Sequence, residues 1–445
     1  MNAFDNFWSA AVDIAWGLPL IILLMGAGLF LFIYSRLTPF RALRHTFHIL
    51  RGRFDDRKDP GEISHFQALT SALSATIGMG NIGGVAIAIA LGGPGAIFWM
   101  WVAGLVGMAT KFFTCTLATM YRKTDEQGVA QGGPMYFIEV GLGKSFKPLA
   151  VMFALFGLIG CLPLFQANQM SALLSAHWGV PWWVSGASAT LITSVVILGG
   201  VTRVGQATSR IVPAMVLIYF FSGLFIVLSN FPQIPSLFAS IFTSAFGSEA
   251  VVGGAVGVAF MEVMRTGVKR AAFSNEAGIG TAAMAHGAAK TTEPIREGLV
   301  AMVGPFLDTH IVCTITALVI LSAGVGAESG DGVVMTVNAF DQTMAGYGKT
   351  ILAIVITMFA VSTMISYSYY SLKCSRYLFG RKVGDLYIYV YLASIFVAAW
   401  WSVGTVINII DTAFALMAIP NLFGALVLSP KVIVALKDYF RRMKL

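Results

Sequence analysis

Charged residues are scarce in this chain, which has 445 residues of which only 11% are charged. A typical soluble domain carries about 25% charged residues. Hydrophobic residues make up 57% of the sequence, and the mean hydropathy is +0.78. These values exclude a soluble globular enzyme, a disordered protein and a disulfide scaffold. They indicate a polytopic membrane protein with room for about ten to twelve spans.

Several chemical motifs are also missing. The four cysteines, Cys115, Cys161, Cys313 and Cys374, show no C-x-x-C or zinc-like spacing, so we predict no disulfide and no metal cluster. The sequence has no G-x-x-x-x-G-K-[ST] run, which argues against ATP as the energy source, and no H-E-x-x-H run. An intramembrane enzyme is therefore not favoured, and we predict that the chain is not an enzyme.

Apolar segments recur along the whole chain. The first residues carry no Lys or Arg before Trp16, so they do not resemble a secretory signal and the first segment is predicted to be a retained membrane helix. Eleven segments are predicted as spans, at about 14–35, 65–90, 95–120, 148–170, 181–199, 211–229, 249–289, 298–322, 350–371, 385–403 and 409–429.

The basic residues fall mainly in every second loop, which sets the topology. The loop after the first span contains Arg36, Arg41, Arg44, Arg51, Arg53, Arg57 and Lys58. The alternate loops contain only Lys349. Because cytoplasmic loops are enriched in Lys and Arg, we predict an outside amino terminus and a cytoplasmic carboxyl terminus in the cell (inner) membrane. The net charge of +8 is then a property of the inner face and does not indicate a nucleic-acid surface.

Two spans combine glycines with polar residues at mid-membrane depth. The second span contains Gly78, Gly80 and Asn81, and the seventh contains the run 273–281, Phe-Ser-Asn-Glu-Ala-Gly-Ile-Gly-Thr. Glycine weakens a helix, and unwound backbone within a membrane is tolerated only where it is buried in protein or lines a cavity. We therefore predict two broken helices, although helix packing is an alternative role for the glycines.

The two broken segments start corresponding blocks of five spans, 65–230 and 249–430. An odd number of spans per block inverts the second block relative to the first, and broken helices at matching positions of inverted halves indicate a transporter site. The remaining parts are an extra amino-terminal transmembrane helix in 1–36, a basic cytoplasmic loop in 37–64 and a basic cytoplasmic tail in 431–445.

Seven stretches carry a family resemblance. They are Gly78-Met-Gly-Asn81, Gly92-Gly-Pro-Gly-Ala-Ile-Phe-Trp-Met-Trp101, Gly132-Gly-Pro-Met-Tyr136, the run from Phe273 to Gly280, the run from Phe306 to Ala317, Ser362-Thr363 and Ser368-Tyr-Tyr370. In this order they resemble the alanine or glycine:cation symporters, also called sodium:alanine symporters. The resemblance implies an all-α polytopic membrane protein of eleven transmembrane helices. Its fold would be the leucine-transporter-like five-plus-five inverted repeat with one extra amino-terminal helix.

An amino-acid zwitterion needs N–H groups at a helix N-terminus for its carboxylate and oxygen atoms for its ammonium group. We expect free N–H groups at Gly78 and Gly80. The predicted substrate residues are Thr76, Gly78, Met79, Gly80, Asn81, Gln166, Ser274, Asn275 and Gly278. Gln166 is included because the family has a Gln at the substrate, although Gln166 and Asn168 could instead cap or bridge helices. Met79 departs from the Thr that is common in the family, which leaves the exact substrate open.

Sodium prefers oxygen ligands, including carbonyls and hydroxyls. The resemblance places a sodium ion, the predicted coupling ion, between the second and ninth spans. The predicted ligands are the carbonyls of Ser74 and Ile77, the carbonyl near Phe359 and the hydroxyls of Ser362 and Thr363. A Ser-Thr pair often bonds to its own helix instead. A second sodium near Thr76 and Asn81 is a further hypothesis.

Charged residues inside spans are functional candidates by default. Glu276, Asp308 and Lys111 belong to this class. A mixed cluster, Glu262, Arg265, Lys269 and Arg270, has three interpretations: an outer interfacial helix, an ion-pair gate or an internal salt-bridge network.

We therefore predict sodium-coupled symport of a small neutral amino acid by alternating access across the lipid bilayer, without ATP or nucleic acid. Alanine and glycine are the first candidates, followed by D-alanine and serine, and glutamine stays open. The alternative is a proton-coupled or exchange-type carrier of the same fold, in which Glu276 or Asp308 would titrate. A pure channel is less favoured, because two broken helices suggest a site that closes around its substrate.

Overall fold

The computed structural model describes residues 3–56, 58–246, 256–325 and 332–444, and it is mostly helical. Arg57 and the first residues of the predicted seventh span, 249–255, lie outside these ranges. The helices up to residue 246 are α1 Ala3–Ala15, α2 Leu18–Tyr34, α3 Thr38–Arg41, α4 Leu43–Leu50, α5 His65–Thr76, α6 Val85–Gly92, α7 Gly95–Met120, α8 Pro134–Tyr136, α9 Lys147–Gly160, α10 Leu164–Trp178, α11 Trp182–Ile197, α12 Gly200–Ser229 and α13 Ile234–Ala245.

The second part of the chain continues in the same way. Its helices are α14 Val256–Asn275, α15 Ala282–His286, α16 Pro294–Ala301, α17 Val303–Pro305, α18 Thr314–Ala323, α19 Val333–Met344, α20 Tyr347–Gly384, α21 Tyr387–Ala398 and α22 Val403–Met443. Wider π-helical turns occur at Gly80–Gly84, Phe137–Leu142 and Phe306–Cys313, and 3₁₀ turns at Lys144–Phe146 and Phe231–Gln233. Strands β1 Lys123–Thr124 and β2 Ala130–Gln131 pair antiparallel.

Within the described ranges, six helices are long and apolar enough to cross a membrane, or up to eight if each of two bent pairs forms one span. The bent pairs are α1 with α2, at 45°, and α5 with the segment Gly80–Gly92, at 49°. Two shorter apolar helices, α11 and α21, are also present. The structure is therefore that of a multi-pass membrane protein, while the count of eleven spans stays a prediction.

Three segments predicted as loop or tail are helical. The basic loop 37–64 contains α3 and α4, the stretch around Arg203 and Arg210 belongs to α12, and most of the tail 431–445 belongs to α22. Helix α22 has 41 residues, about twice the length that a bilayer requires. The difference arises because hydropathy marks where a chain leaves the apolar layer, whereas a helix continues as long as its backbone bonds and side chains permit.

Helix α7 forms much of the centre of the fold and packs against α14, α16, α2 and α13. Helix α20 packs against α5, α9, α12 and α19. The amino-terminal pair also joins the core, because α1 packs against α22 and α2 packs against both α7 and α22. Helices α7 and α20 thus place α14 and α5, which lead into the two predicted breaks, within the packed core.

Candidate functional site

The first broken helix has a defined start and a short break. Helix α5 begins with a capping box, in which Ser64 and Gln67 each accept a hydrogen bond from the other's backbone N–H. It ends at Thr76, and Ile77 takes an extended conformation with φ −74° and ψ 96°. The chain is helical again from Met79, so the break spans two residues, Ile77 and Gly78.

The side chain of Asn81 accepts a hydrogen bond that we expected a substrate carboxylate to accept. The backbone N–H of Gly78 donates to Oδ1 of Asn81 at 2.8 Å, so the expected free N–H at Gly78 is wrong. The reason is local, because an Asn side chain readily accepts from a nearby backbone N–H where a helix starts. The next residue, Met79, already has helical angles, with φ −61° and ψ −26°, so its N–H lies at the start of the helix after the break. Met79 and Gly80 therefore present their N–H groups at this helix start.

The second break lies between α14 and α15. Glu276 has φ +54° and Gly280 has φ +96°, both in the left-handed region. The carboxylate of Glu276 accepts hydrogen bonds from the hydroxyls of Thr281 and Tyr367. The side chain of Asn275 accepts from the N–H of Ala277 at 3.0 Å. Side chains thus replace the helical hydrogen bonds that the break removes.

The two broken segments meet at Gly80. A β-carbon at Gly80 would lie 3.2 Å from Cα of Ser274 and 3.2 Å from the ring of Phe273, so a larger residue would be tightly packed at this close approach. Asp308 joins the same two segments: it accepts from Nδ2 of Asn81 at 2.7 Å and from the hydroxyl of Ser274 at 2.7 Å. Asp308 is fully buried. Through these two hydrogen bonds Asp308, which lies on the π-helical turn Phe306–Cys313, connects both broken segments.

From the sequence, Asp308 is predicted to be a charged residue within a span and a candidate for proton coupling. Its position on the π-helical turn Phe306–Cys313 places Thr309 beside Asn275, whose Nδ2 donates to the Thr309 hydroxyl at 3.0 Å. Thr309 in turn donates to Asp308 at 3.0 Å. The available signal was a carboxylate in an apolar segment, but its partners lie far away along the chain.

Gln166 has an unused acceptor. Its side chain is 4% exposed, and its Oε1 has no hydrogen-bond partner among the described residues. The preceding Phe165 packs edge-on against Phe273, with ring centroids 5.2 Å apart, which places this part of α10 next to the second broken segment. Asn168 instead donates to the carbonyls of Ala398 and Trp401 and bridges α10 to α21 and the turn after it.

Two other predicted substrate residues are engaged elsewhere. The hydroxyl of Thr76 donates to the carbonyl of Ala72 in its own helix at 3.1 Å. The carbonyl of Gly278 accepts from Asn421 at 2.8 Å, and a β-carbon at Gly278 would lie 2.1 Å from the side chain of Leu24. Gly278 is therefore packed against α2 and α22.

Four of the five predicted sodium ligands are brought together where α5 packs on α20. Thr363 donates to the carbonyl of Ser74 at 2.8 Å, Ser74 donates to the carbonyl of Ser362 at 2.7 Å, and Ser362 donates to the carbonyl of Phe359 at 3.0 Å. All four residues are fully buried. Ile77 stands at the end of α5, and its N–H donates to Leu73.

This oxygen cluster also lies against the break. A β-carbon at Gly78 would be 2.6 Å from Oγ1 of Thr363 and 3.9 Å from the Phe359 carbonyl. Carbonyl and hydroxyl oxygens are the ligands that suit a hard monovalent cation. The described residues contain no group of three His, Cys, Asp or Glu side chains that could hold a metal ion.

Lys269 and Arg270 of the charged cluster on α14 form an ion-pair network with a buried carboxylate, whereas Glu262 is 58% exposed and pairs with Arg265 at 3.7 Å. Lys269 lies 3.0 Å from the carboxylate of Asp411, and Arg270 bonds to the same carboxylate oxygen. Asp411 is fully buried, and the guanidinium of Arg270 lies 5.2 Å from the ring centroid of Phe273. Arg265 donates to the carbonyl of Trp16 at 3.0 Å. The network therefore ties α14 to α22 and α1 within one turn of the site.

A second polar cluster joins the far ends of the broken helices. Glu297 is fully buried, and its carboxylate is hydrogen-bonded to Nδ1 of His65 and to Nδ1 of His286. The distance to His286 is 2.6 Å. His65 is the first residue of α5 and His286 the last residue of α15. Glu297 thus connects the start of one broken segment to the end of the other.

Nearby, the guanidinium of Arg122 donates to three backbone carbonyls. Their oxygens belong to Pro60 at 2.8 Å, Ala289 at 2.7 Å and Thr291 at 2.6 Å. Ile63 and Ala289 form an isolated parallel β-bridge in the same place. The segment before α5 and the segment after α15 are therefore held together by backbone and side-chain bonds.

Comparisons with known proteins agree with these features. The profile of the sodium:alanine symporter family matches residues 1–445. The chain is 43% identical to the sodium/alanine symporter AgcS of Methanococcus maripaludis, over 98% of this chain and 97% of the relative. It is 35% identical to the putative sodium/proton-dependent alanine carrier protein YrbD of Bacillus subtilis, over 99% and 94%. It is 34% identical to the probable sodium/glutamine symporter GlnT of the same organism, over 99% and 91%.

A solved structure is similar in fold. The crystal structure of MhsT in complex with L-phenylalanine aligns with a TM-score of 0.59 and 12% identity, over 83% of this chain and 89% of MhsT. The expected leucine-transporter-like fold is thereby confirmed, although the exact number of helices is not.

Proposed function

Because the chain belongs to the sodium:alanine symporter family, we propose that it moves a small neutral amino acid across a membrane together with Na⁺. The observation that carries this proposal is the buried oxygen cluster of Ser74, Phe359, Ser362 and Thr363 beside the break in α5. A cation bound there would contact both the broken helix and α20. Its binding would therefore depend on how these two elements are arranged, which is what coupling requires.

The proposed substrate site lies between the two breaks. The N–H of Met79, at the start of the helix after the break, would receive the substrate carboxylate, and the unpaired Oε1 of Gln166 would accept from its ammonium group. The side chains of Asn81 and Ser274 are already bonded to Asp308, so they would shape the site and fix its walls. The close approach of Gly80 to Ser274 favours a small substrate such as alanine.

A bound Na⁺ would take the place of the hydrogen bonds that now join the oxygens of this cluster. The hydroxyls of Ser74, Ser362 and Thr363 now donate to carbonyls of the same cluster. When Na⁺ binds, hydroxyl rotation would turn these protons away and present the oxygens to the ion. One Na⁺ that moves down about 100 mV contributes roughly 2.3 kcal/mol. A tenfold gradient adds about 1.4 kcal/mol.

Alternating access requires that each side can close. We assign the closure on one side to the Arg270–Asp411 network and on the other to the contacts of Glu297 and Arg122. With the topology predicted from the basic loops, the first faces the outside and the second the cytoplasm. The amino terminus would then be outside and the carboxyl terminus cytoplasmic in the cell membrane.

Proton coupling is the second candidate, and Asp308 is the observation that favours it. A buried carboxylate that bridges both broken helices could link protonation to their arrangement. The name of the relative YrbD includes a proton as well as sodium. The two candidates make opposite predictions for uptake without Na⁺.

The test is uptake of labelled L-alanine into proteoliposomes. One arm has an inward Na⁺ gradient, one has K⁺ in its place, and one has an inward proton gradient without Na⁺. We expect concentrative uptake only with Na⁺, and a higher Na⁺ requirement for that uptake in Thr363→Val. Uptake driven by protons alone would favour the second candidate, and no Na⁺-dependent uptake would overturn the first.

The same system ranks substrates by competition. Unlabelled glycine, L-serine, D-alanine and L-glutamine are each added at equal concentration. We expect glycine and serine to compete more strongly than glutamine, because the approach of Gly80 to Ser274 limits the space. Stronger competition by glutamine would show that the proposed substrate is wrong. Met79→Thr tests whether this side chain changes the ranking while its backbone N–H stays in place.

A further inference from the structure

A cavity of about 280 Å³ opens at the basic end of the protein, away from the proposed transport site. One wall is the turn between α2 and α3, and the other is the last part of α22. Its lining residues are Tyr34, Ser35, Arg36, Thr38, Arg41, Ile433, Leu436, Lys437, Phe440 and Arg441. The cavity thus lies between the extra amino-terminal helix and the carboxyl-terminal helix.

Four cationic side chains surround this cavity: Arg36, Arg41, Lys437 and Arg441. Arg441 pairs with Asp438 at 2.7 Å. No carboxylate among the described residues lies within 4 Å of the other three cations. Cations that face one concave space repel one another, and the free energy of that repulsion is recovered when an anion binds. The charge distribution therefore matches an anionic ligand.

The backbone holds this arrangement in a fixed form. Arg36 and Leu37 have φ values of +54° and +59°, which are unfavourable for residues other than glycine. Three hydrogen bonds keep the turn closed: Arg36 N–H to Ile33 at 2.8 Å, Leu37 N–H to Phe32 at 3.1 Å, and the Thr38 hydroxyl to the Ser35 carbonyl at 2.6 Å. The cations on this turn are therefore positioned by a defined backbone and not by a loose loop.

Exposed apolar side chains surround the cavity on its outer side. Ile33 is 62% exposed, Phe40 57%, Leu37 45% and Val434 69%. In a multi-pass membrane protein, apolar side chains next to basic ones mark the boundary between acyl chains and headgroups. A soluble anion would use the cations alone, whereas a phospholipid would use both features.

We propose that this cavity binds the phosphate headgroup of an acidic phospholipid. Its phosphate would lie among Arg36, Arg41 and Lys437, and its acyl chains would follow the apolar surface at Leu37 and Phe40. The bound lipid would join α2 to α22 and stabilise the packing of the extra helix on the transport core. The proposal is independent of the transported substrate and of the coupling ion.

The test compares two triple variants with the same change in net charge. The first, Arg36→Gln/Arg41→Gln/Lys437→Gln, removes the unpaired cations of the cavity. The control, Arg44→Gln/Arg51→Gln/Arg53→Gln, removes three exposed arginines of the same basic region that do not line it. The purified full-length proteins are titrated with phosphatidylglycerol, cardiolipin or phosphatidylcholine. Thermal unfolding and native mass spectrometry report binding.

We expect the acidic lipids to bind to and stabilise the wild type and the control, with at least tenfold weaker binding to the cavity variant. Phosphatidylcholine should have little effect on any of them. Equal weakening in both triple variants would overturn the proposal, because it would show general attraction to charge. Equal stabilisation by inorganic phosphate or glycerophosphate would also overturn it in favour of a soluble anion. If the cavity variant does not fold, Arg41→Gln and Arg44→Gln replace the triples, with the same readings.

Discussion

The hydroxyl of Thr363 donates a hydrogen bond of 2.8 Å to the carbonyl of Ser74, and this bond joins α20 to the last full turn of α5. Ser74 donates back to the adjacent residue of α20, Ser362, at 2.7 Å. The two helices are therefore connected by two hydrogen bonds, one donated from each side. Both donors are hydroxyl groups, which can rotate about their C–O bonds. Rotation of these O–H groups can turn their hydrogen atoms away and present their oxygens to a cation, and neither backbone has to move.

Replacing Thr363 tests this exchange. Thr363→Val keeps the shape but removes one oxygen, so we expect the Na⁺ concentration for half-maximal uptake to rise about tenfold, equivalent to roughly 1.4 kcal/mol. Thr363→Ser should restore most of the affinity. The control is Thr190→Val in α11, where the hydroxyl donates to the carbonyl of Gly186 in its own helix. An unchanged Na⁺ dependence in Thr363→Val would exclude this cluster as the coupling site.

Gly78→Ala tests how tightly the break packs on α20. The new methyl group would lie 2.6 Å from Oγ1 of Thr363, so we expect a loss of thermal stability and of uptake. Thr363→Ala in the same chain should restore the stability, because it removes the clashing atom. Gly26→Ala in α2 serves as control, since a β-carbon there meets no atom within 4 Å. Equal stability losses in both single variants would show that the clash is not specific.

Asp308→Asn tests the bridge between the broken helices. Asn has one acceptor oxygen and one NH₂ group, so at least one of the three donors that face Asp308 would lose its acceptor. We expect a cost of about 1–3 kcal/mol in stability and loss of concentrative uptake. The matched control is Asp341→Asn, a partly exposed residue that pairs with Lys349 at 3.2 Å. A variant that keeps Na⁺-dependent uptake but loses stimulation by acid would instead support proton coupling.

The network around Asp411 predicts an asymmetric pair of variants. Arg270→Gln leaves Lys269 to neutralise the buried carboxylate, whereas Asp411→Asn leaves two cations without their acceptor. We therefore expect Asp411→Asn to be the more destabilising, by about 3 kcal/mol or more. Asp13→Asn is the control, because Asp13 is 70% exposed where it pairs with Arg265. Equal effects of Arg270→Gln and Asp411→Asn would show that Lys269 contributes nothing. Thermal unfolding of the purified proteins measures the differences.

Sequence reasoning located both breaks because clustered glycines and polar side chains are unfavourable in a continuous apolar helix. It failed at Gly78, whose N–H is taken by the side chain of Asn81, since a rotamer choice has no signature in composition. It also failed to find the partners of Asp308 and Asp411. These bonds join residues such as Arg270 and Asp411, 141 positions apart, and only the packing of helices brings them together.

The helical continuation of the basic regions was missed for a different reason. The predicted tail 431–445 is mostly the end of α22, in which Asp438 bonds to Arg441 and Arg442 one turn further on. Hydropathy indicates whether a segment lies in the apolar layer or in water. Pairs of opposite charges one turn apart instead stabilise a helix, including one outside the membrane. Bounds of membrane segments and bounds of helices are therefore different predictions.

Arg122 has a consequence for the speed of the transport cycle. Its guanidinium bridges the carbonyl of Pro60 on one segment to those of Ala289 and Thr291 on the other, beside two backbone bonds, from Lys290 N–H to Ile63 and from Thr291 N–H to Pro60. Since these bonds join the same two short stretches, we expect them to break together when the segments separate. Such a step has a high activation enthalpy, and the turnover rate should therefore fall steeply on cooling.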